Sequence, residues 1–225
     1  MKGTEASFWQ TLDQNERSAF KSVGRLHDFR AGQTIMRQRD TDGWGAVLMN
    51  GHARVLMRDD SVTRVIAIRH PGDIVGELSL IDRQPRSATV QAAGGVRALV
   101  LTMEQLWRIT ERHPRVLRVL LTVVSERLRE ADRRRIEFAA DVRRRIACLL
   151  VEYVELYGQP SPEGTFVPIT SQADLASIVG TSRGSVARVL RELRDLGLVH
   201  TSRGAVVVRD FAGLRALAAP VATRR

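Results

Sequence analysis

A chain of 225 residues can build one large or two small domains, and 44% hydrophobic with 27% charged residues is the balance of a globular protein. The formal charge of +10 points to a polyanionic partner, nucleic acid or an anionic membrane surface, unless it reflects only an arginine-favouring genome. A single cysteine, Cys148, excludes an intrachain disulfide framework and a Cys-ligated metal or iron–sulfur site, and its neighbours Ile146, Ala147, Leu149 and Leu150 make it a buried structural thiol.

In chain order, residues 5–27 read as short helical pieces with Phe8, Trp9, Leu12 and Phe20 as their apolar side. The texture then changes. Short β-branched or aliphatic runs recur at Thr34–Met36, Ala46–Met49, Ala53–Met57, Val62–Ile68, Ala88–Ala92 and Val96–Leu101. Glycines separate them, and Asp59-Asp60-Ser61 reads as a hairpin turn, so a β-barrel or β-roll is expected. From Met103 the pattern is helical: a short helix Met103–Glu111 capped by Thr102, then a restart at Pro114. A long helix is expected over Pro114–Ala139, with an apolar stripe at Leu117, Leu121, Val124, Leu128 and Ala131, then Phe138 and Val142. Its spacing is close to 3.5 residues, that of a paired-helix seam interrupted by Arg135, although a helix packed on its own domain gives a similar stripe. Asp141–Tyr157 reads as another helix and Gly158–Gly164 as a loop. No run approaches about 18 apolar residues and the start, MKGTEASFWQ, lacks an apolar signal region, so a cytoplasmic protein with no membrane partner is expected.

Two segments carry chemistry. The first is PGDIVGELSLIDRQPRSATVQA, Pro71–Ala92. It has a glycine turn at Gly76, Glu77 directly after it, Leu78 next, and an Arg86-Ser87 pair. N–H groups at the start of a short helix attract a phosphate, Arg86 offers charge-assisted contacts to phosphate oxygens, Ser87 adds a hydroxyl donor, and Glu77 accepts from sugar hydroxyls. The alternative is that Glu77 and Arg86 pair with each other in an empty pocket.

The second is ITSQADLASIVGTSRGSVARVLRELRDLGLVH, residues 169–200. Ser171 with Asp174 makes a capping-box-like start before Gln172, and Leu175, Ile178 and Val179 face inward. Gly180 turns the chain, Thr181 or Ser182 caps a second helix, and Val186, Val189, Leu190, Leu193 and Leu196 form its inner face until Gly197 stops it. Two short helices about a glycine turn form a helix-turn-helix. The outward side carries Ser182, Arg183, Ser185, Arg188, Arg191 and Arg194, and its N-terminal residues are placed to meet a major groove where arginine reads guanine O6 and N7. Leu198–Thr201, the turn Ser202-Arg203-Gly204 and Ala205–Arg209 read as a two-stranded wing with Arg203 placed at a phosphate.

This order of cassette, long helix and winged helix-turn-helix resembles the bacterial cyclic-AMP receptor protein (CRP/FNR) family of transcription regulators, from about Phe8 to Leu217, on the cassette and on GTSRGSVARVL. The resemblance implies an α+β chain: a cyclic-nucleotide-binding β-roll over 1–113, a dimerisation helix and hinge over 114–140, and a winged helix-turn-helix over 141–225. It implies no cofactor and an allosteric ligand, cAMP or another cyclic nucleotide, gripped by Gly76, Glu77, Leu78, Arg86 and Ser87. It also implies a homodimer on a two-fold-related double-stranded DNA site, with RNA polymerase as partner and a hinge near Phe138–Val142. DNA contacts would come from Ser171, Gln172, Thr181, Ser182, Arg183, Ser185, Arg188 and Arg203.

Two departures stand out. Where cAMP-responsive members offer Thr and Ser to the adenine, this chain has Arg129-Glu130-Ala131-Asp132-Arg133-Arg134, so Asp132 could accept from an amino group of the base or an Arg could meet a purine edge such as guanine's O6 and N7, unless the stretch is an ordinary solvated face, and the base is open. Family members reading a GTGA-type half-site carry an Arg-Glu pair, and here Gly184 replaces the Glu. A haem sensor would need an axial ligand, and His52, His70 and His113 are scattered single histidines. No G-x-S-x-G, P-loop or paired catalytic carboxylates are present, so an enzyme is not expected. A ligand-independent regulator of the same fold, or a nucleotide-sensing module that controls a partner enzyme, are the alternative readings.

Overall fold

The computed structural model describes residues 7–59, 62–137, 141–169, 171–202 and 204–219, with the side chains of 59, 62 and 133–137 excepted. The hairpin residues Asp60 and Ser61, the hinge residue Phe138 and the wing-tip Arg203 lie outside the described residues, as does the side chain of Arg135. The chain divides into two compact units, Ala6–Ala131 and Asp132–Arg225.

The first unit opens with α1 (Phe8–Thr11) and α2 (Gln14–Val23). Each begins with a capping box: Ser7 with Gln10, and Asp13 with Glu16. The strands β1 (Arg25–Phe29), β2 (Thr34–Met36), β3 (Trp44–Asn50), β4 (Ala53–Asp59), β5 (Val62–Arg69), β6 (Ile74–Val75), β7 (Thr89–Ala92) and β8 (Val96–Thr102) form two sheets, ordered β1-β8-β3-β6 and β2-β7-β4-β5. The short helix α3 (Glu77–Asp82) interrupts them after β6. β1 and β6 were not expected: Arg25–Phe29 is a mostly exposed edge strand without apolar alternation, and β6 has only two residues. Residues 25–27, expected as helix, therefore belong to β1.

Strand alternation sorts the core into two layers. Val47, Leu99 and Leu101 face a helical layer containing Phe8, Phe20 and Leu106, whereas Ala46, Leu48, Val96 and Ala98 fill the interior between the sheets with Val90 and Met36. α4 (Met103–Arg112) starts at a Thr102–Gln105 capping box. α5 (Pro114–Glu137) lays Val116, Val119 and Leu120 into the helical layer. The expected seam lies on a different side: Leu121 is 53% and Leu128 62% exposed. These two leucines are thus not on the face that packs on the first unit, whereas Leu117 and Val124 of the stripe are half-buried.

His52 and His70 are not scattered: their rings meet edge to face at 4.9 Å. Burial holds the His70 imidazole well below the ordinary histidine range, reinforced by His52 and Arg69, and burial also lowers His52. The unfolded chain therefore takes up a proton that the folded chain refuses, and stability falls as pH drops below the ordinary histidine value, by at most about 1.4 kcal/mol per pH unit for one such group. Asp73 acts oppositely, because burial raises its carboxyl despite Arg69 and Arg127. The expected result is a melting temperature that declines more steeply from neutral to mildly acid pH in wild type than in His70→Gln; parallel profiles would refute it.

In the second unit α6 (Val142–Tyr157) is capped by Asp141, which accepts from Arg144 N–H at 2.8 Å. The expected loop Gly158–Gly164 is instead largely strand: β9 (Gln159–Ser161) pairs with β10 (Gly164–Pro168). Pro160 disguised β9, but proline is tolerated on an edge strand, and β9 is the edge of the sheet β11-β12-β10-β9. α7 (Gln172–Val179) and α8 (Arg183–Asp195) follow, then β11 (Val199–Ser202), β12 (Ala205–Val208) and α9 (Phe211–Ala218). The wing is therefore part of a four-stranded sheet rather than a free ribbon. Leu196 is 55% exposed and does not join the inner face of α8 as expected. Cys148 is half-buried, its thiol on the Ala218 carbonyl at 3.5 Å. No helix is long and apolar enough to cross a membrane among the described residues.

Candidate ligand cassette and nucleic-acid interface

β6 delivers the chain to Gly76, whose φ of 78° is the left-handed region. A Cβ there would lie 2.5 Å from Arg86 Nη1 and 2.7 Å from Met36 Sδ, so only glycine admits the guanidinium this close. Gly76 starts α3 without a side-chain cap, and Glu77, the first helical residue, is buried at 5% exposure.

Glu77 and Arg86 do not pair with each other. Glu77 Oε1 meets Arg127 of α5 at 2.5 Å, and Arg127 Nη2 also donates to the Ile74 carbonyl at 2.7 Å. Burial alone would raise the Glu77 carboxyl. The charge and hydrogen bond of Arg127, the backbone N–H of Glu77 and the more distant Arg69 outweigh it, so Glu77 is held below the usual glutamate range and stays an anion and acceptor.

Arg86 is 3% exposed. Its Nε donates to Asp42 Oδ1 at 2.8 Å, its Nη1 to the Gly76 carbonyl at 3.1 Å and its Nη2 to the Asp42 carbonyl at 2.8 Å. Nη2 also donates to the Trp44 carbonyl. The guanidinium carbon lies 5.4 Å from the centre of a Trp44 ring, and Trp44 Nε1 donates to the other oxygen of Asp42 at 2.5 Å. A guanidinium has five N–H donors. Four are engaged here among the described residues, which fixes the side chain in one pose and leaves one Nη1 hydrogen.

Gly76, Glu77, Leu78, Arg86 and Ser87 line one cavity of about 190 Å³ together with Arg127. That volume is below the about 300–1,000 Å³ of typical ligand pockets. Leu78 is 39% exposed, and Ser87 is exposed at the mouth. Asp132 is exposed on α5 and belongs to the second compact unit. Sequence reasoning missed Arg127 and Asp42. Arg127 had a signal: it falls one helical step beyond Val116, Leu120 and Val123, so a cation sits on a buried face and requires a counter-ion.

In the second unit Ser171 caps α7 by accepting from Asp174 N–H at 3.0 Å. Gly180 turns the chain at φ 67°, and Ser182, not Thr181, caps α8, accepting from Ser185 N–H at 3.1 Å. Val186, Val189, Leu190 and Leu193 are buried. Ser182, Arg183, Gly184 and Arg188 are exposed, while Ser171, Gln172, Thr181 and Ser185 are half-buried. The inner residues thus fix α8 so that its first two turns present arginine and hydroxyl groups together. Arg188 also shares a cavity of about 400 Å³ with Arg143, Arg145 and Glu192.

Residues 26–113 match the cyclic nucleotide-binding domain family, and residues 144–217 match the Crp-like helix-turn-helix domain. Together they define a DNA-binding regulator that carries a cyclic-nucleotide domain. The cyclic AMP receptor protein of Thermus thermophilus is 34% identical over 157 residues, 69% of either chain. The cAMP-activated global transcriptional regulator Vfr of Pseudomonas aeruginosa is 30% identical over 190 residues, 80% of this chain and 87% of that one. The crystal structure of Thermus thermophilus catabolite activator protein is similar with a TM-score of 0.53 and 29% identity, covering 94% of this chain and 97% of that one. The chain belongs to the CRP/FNR family of transcription regulators. The expected fold class, a cyclic-nucleotide-binding roll, a long helix and a Crp-like helix-turn-helix, is the one observed.

Proposed function

We propose that the protein is a homodimeric, cytoplasmic, non-enzymatic transcription regulator whose affinity for a two-fold-related DNA site is set by a cyclic nucleotide in the cassette, and that it acts with RNA polymerase. One observation carries this reading. The anion Glu77 and the cation Arg86 lie on either side of Gly76 in one cavity, each oriented by its own counter-ion, Arg127 and Asp42. A cyclic phosphate would meet the remaining Arg86 donor, Ser87 and the first-turn N–H groups at Gly76 and Leu78. A ribose hydroxyl would donate to Glu77, and Asp132 would accept from an exocyclic amine of the base. The exposed Leu121 and Leu128 support pairing of α5 with a second copy.

At the DNA, Ser171, Gln172, Thr181, Ser182 and Arg203 would hold phosphates, and Arg183, Ser185 and Arg188 would meet base edges. The domain limits 1–113, 114–140 and 141–225 belong to the same proposal.

The test is calorimetric titration with cAMP, cGMP and cyclic dinucleotides. Arg86→Ala should weaken binding ten- to a hundredfold, about 1.5–3 kcal/mol for a charge-assisted bond, and Ser87→Ala, at an exposed position, should weaken it less without affecting the fold. Equal heats for wild type and both variants would remove the cassette from the mechanism. A second reading has the closed Arg86 network in its favour: if no nucleotide gives heat while DNA binding persists, Arg86 is a structural pin in a ligand-independent regulator.

A further inference from the structure

The roll has another cavity, about 580 Å³, lined by Arg37, Arg39 and Arg58 with the hydroxyl residues Thr34, Thr63 and Thr89. It is separate from the cassette. Strand alternation puts Val55 and Met57 of β4 at the cassette cavity, and Leu56 and Arg58 of the same strand at this one. The two cavities thus lie on opposite faces of the sheet β2-β7-β4-β5.

Among the described residues no acidic side chain lines it, and none of the three guanidinium groups is in an ion pair. Three like charges around one concavity repel, and such a grouping is relieved by an anion. The wall is also fixed. Gln38 N–H donates to Thr89 Oγ1 at 2.9 Å, and Gln38 Oε1 accepts from Arg58 N–H at 2.9 Å, which ties the 37–39 turn to β7 and β4. Arg39 stands at φ 75°, a left-handed conformation unfavourable for any residue with a Cβ. The Arg39 N–H on the Arg86 carbonyl at 2.9 Å and the Arg86 N–H on the Asp40 carbonyl at 2.8 Å hold it there. This backbone conformation, fixed by neighbouring segments, carries the Arg39 side chain at the cavity wall.

We propose that this cleft is a second anion site, distinct from the cassette, that takes a di- or triphosphate group, as in inorganic pyrophosphate or the phosphate tail of a nucleoside triphosphate. The volume is within the about 300–1,000 Å³ of small-molecule pockets. Guanidinium groups bind phosphate oxygens bidentately, and the three threonine hydroxyls supply further donors. Among the described residues Leu56 is the single apolar one lining it, which favours phosphate contacts over those of a base or an acyl chain.

The experiment is calorimetric titration of the full chain with pyrophosphate and with ATP at physiological ionic strength, with and without saturating cAMP. The variant combines Arg39→Gly, which suits the positive φ, with Arg58→Gln; both positions are exposed, so the fold is retained, as a melting curve will verify. The expected result is a saturable isotherm that cAMP leaves in place and that the variant weakens at least tenfold. Absence of saturable heat, equal affinity in the variant, or one-for-one displacement by cAMP would each overturn the proposal. Failure of cAMP to bind counts against the cassette alone, and the pyrophosphate isotherm still decides the second site.

Discussion

Replacing Arg127 by alanine should destabilise the N-terminal unit by about 3–5 kcal/mol, the cost of leaving one member of a buried ion pair uncompensated. The lone charge would be Glu77, whose side chain is 6% exposed and whose ionised state depends on Arg127. The Ile74 carbonyl would lose its donor as well. Removing both charges tests the cause. The double variant Glu77→Gln with Arg127→Met should recover most of the lost stability, because no buried charge remains. Urea denaturation of wild type, Glu77→Gln, Arg127→Met and the double variant gives the coupling energy directly. If Arg127→Ala costs less than about 1 kcal/mol, or if the double variant is as unstable as the single one, the pair is a surface-type contact and Glu77 is not held by α5. The same pair ties α5 to the cassette, so a ligand that engages Glu77 acts on the helix carrying the exposed Leu121 and Leu128.

What could be read from the residues alone follows the range of the interactions. Local signals were legible: the β-branched runs became β2, β4, β5 and β7 within a residue or two, and the caps Thr102, Ser171 and Ser182 mark helices they were expected to mark. Pairings between distant segments were not. Asp42 and Arg86 meet because β3 and the cassette are neighbours in the roll, and no local spacing encodes that. β1 escaped because an exposed edge strand has no apolar alternation to display, and β9 because Pro160 mimics a loop residue. Arg127 lies between these cases. Its position on the core face of α5 was visible as a conflict, a cation where the periodicity demands an apolar residue, and such conflicts mark functional positions. The recognition helix was legible because its inner and outer faces obey one helical period; Leu196 was misread because the helix ends before it.

Replacing Arg183 and Arg188 together by alanine should weaken specific DNA binding by about 2–6 kcal/mol, twice the about 1–3 kcal/mol expected of one bidentate guanine contact, and should relax preference at two base pairs. Both side chains are exposed on the first two turns of α8, whose core residues are unaffected by their loss, so the fold should hold. Gly184 between them offers the complementary gain. A Cβ there would meet only Ser182 Oγ, at 3.8 Å. Gly184→Glu relieves a helical glycine and puts a negative charge in the first turn, so it should stabilise the C-terminal unit by about 1 kcal/mol. The new carboxylate can accept from cytosine N4, so the selected half-site should become stricter at one base pair. Random-site selection with wild type, the double alanine variant and Gly184→Glu measures all three effects. A Gly184→Glu protein that is more stable yet selects an unchanged half-site would show that the start of α8 does not reach base edges, and the assignment of Arg183 and Arg188 to guanine would fall with it.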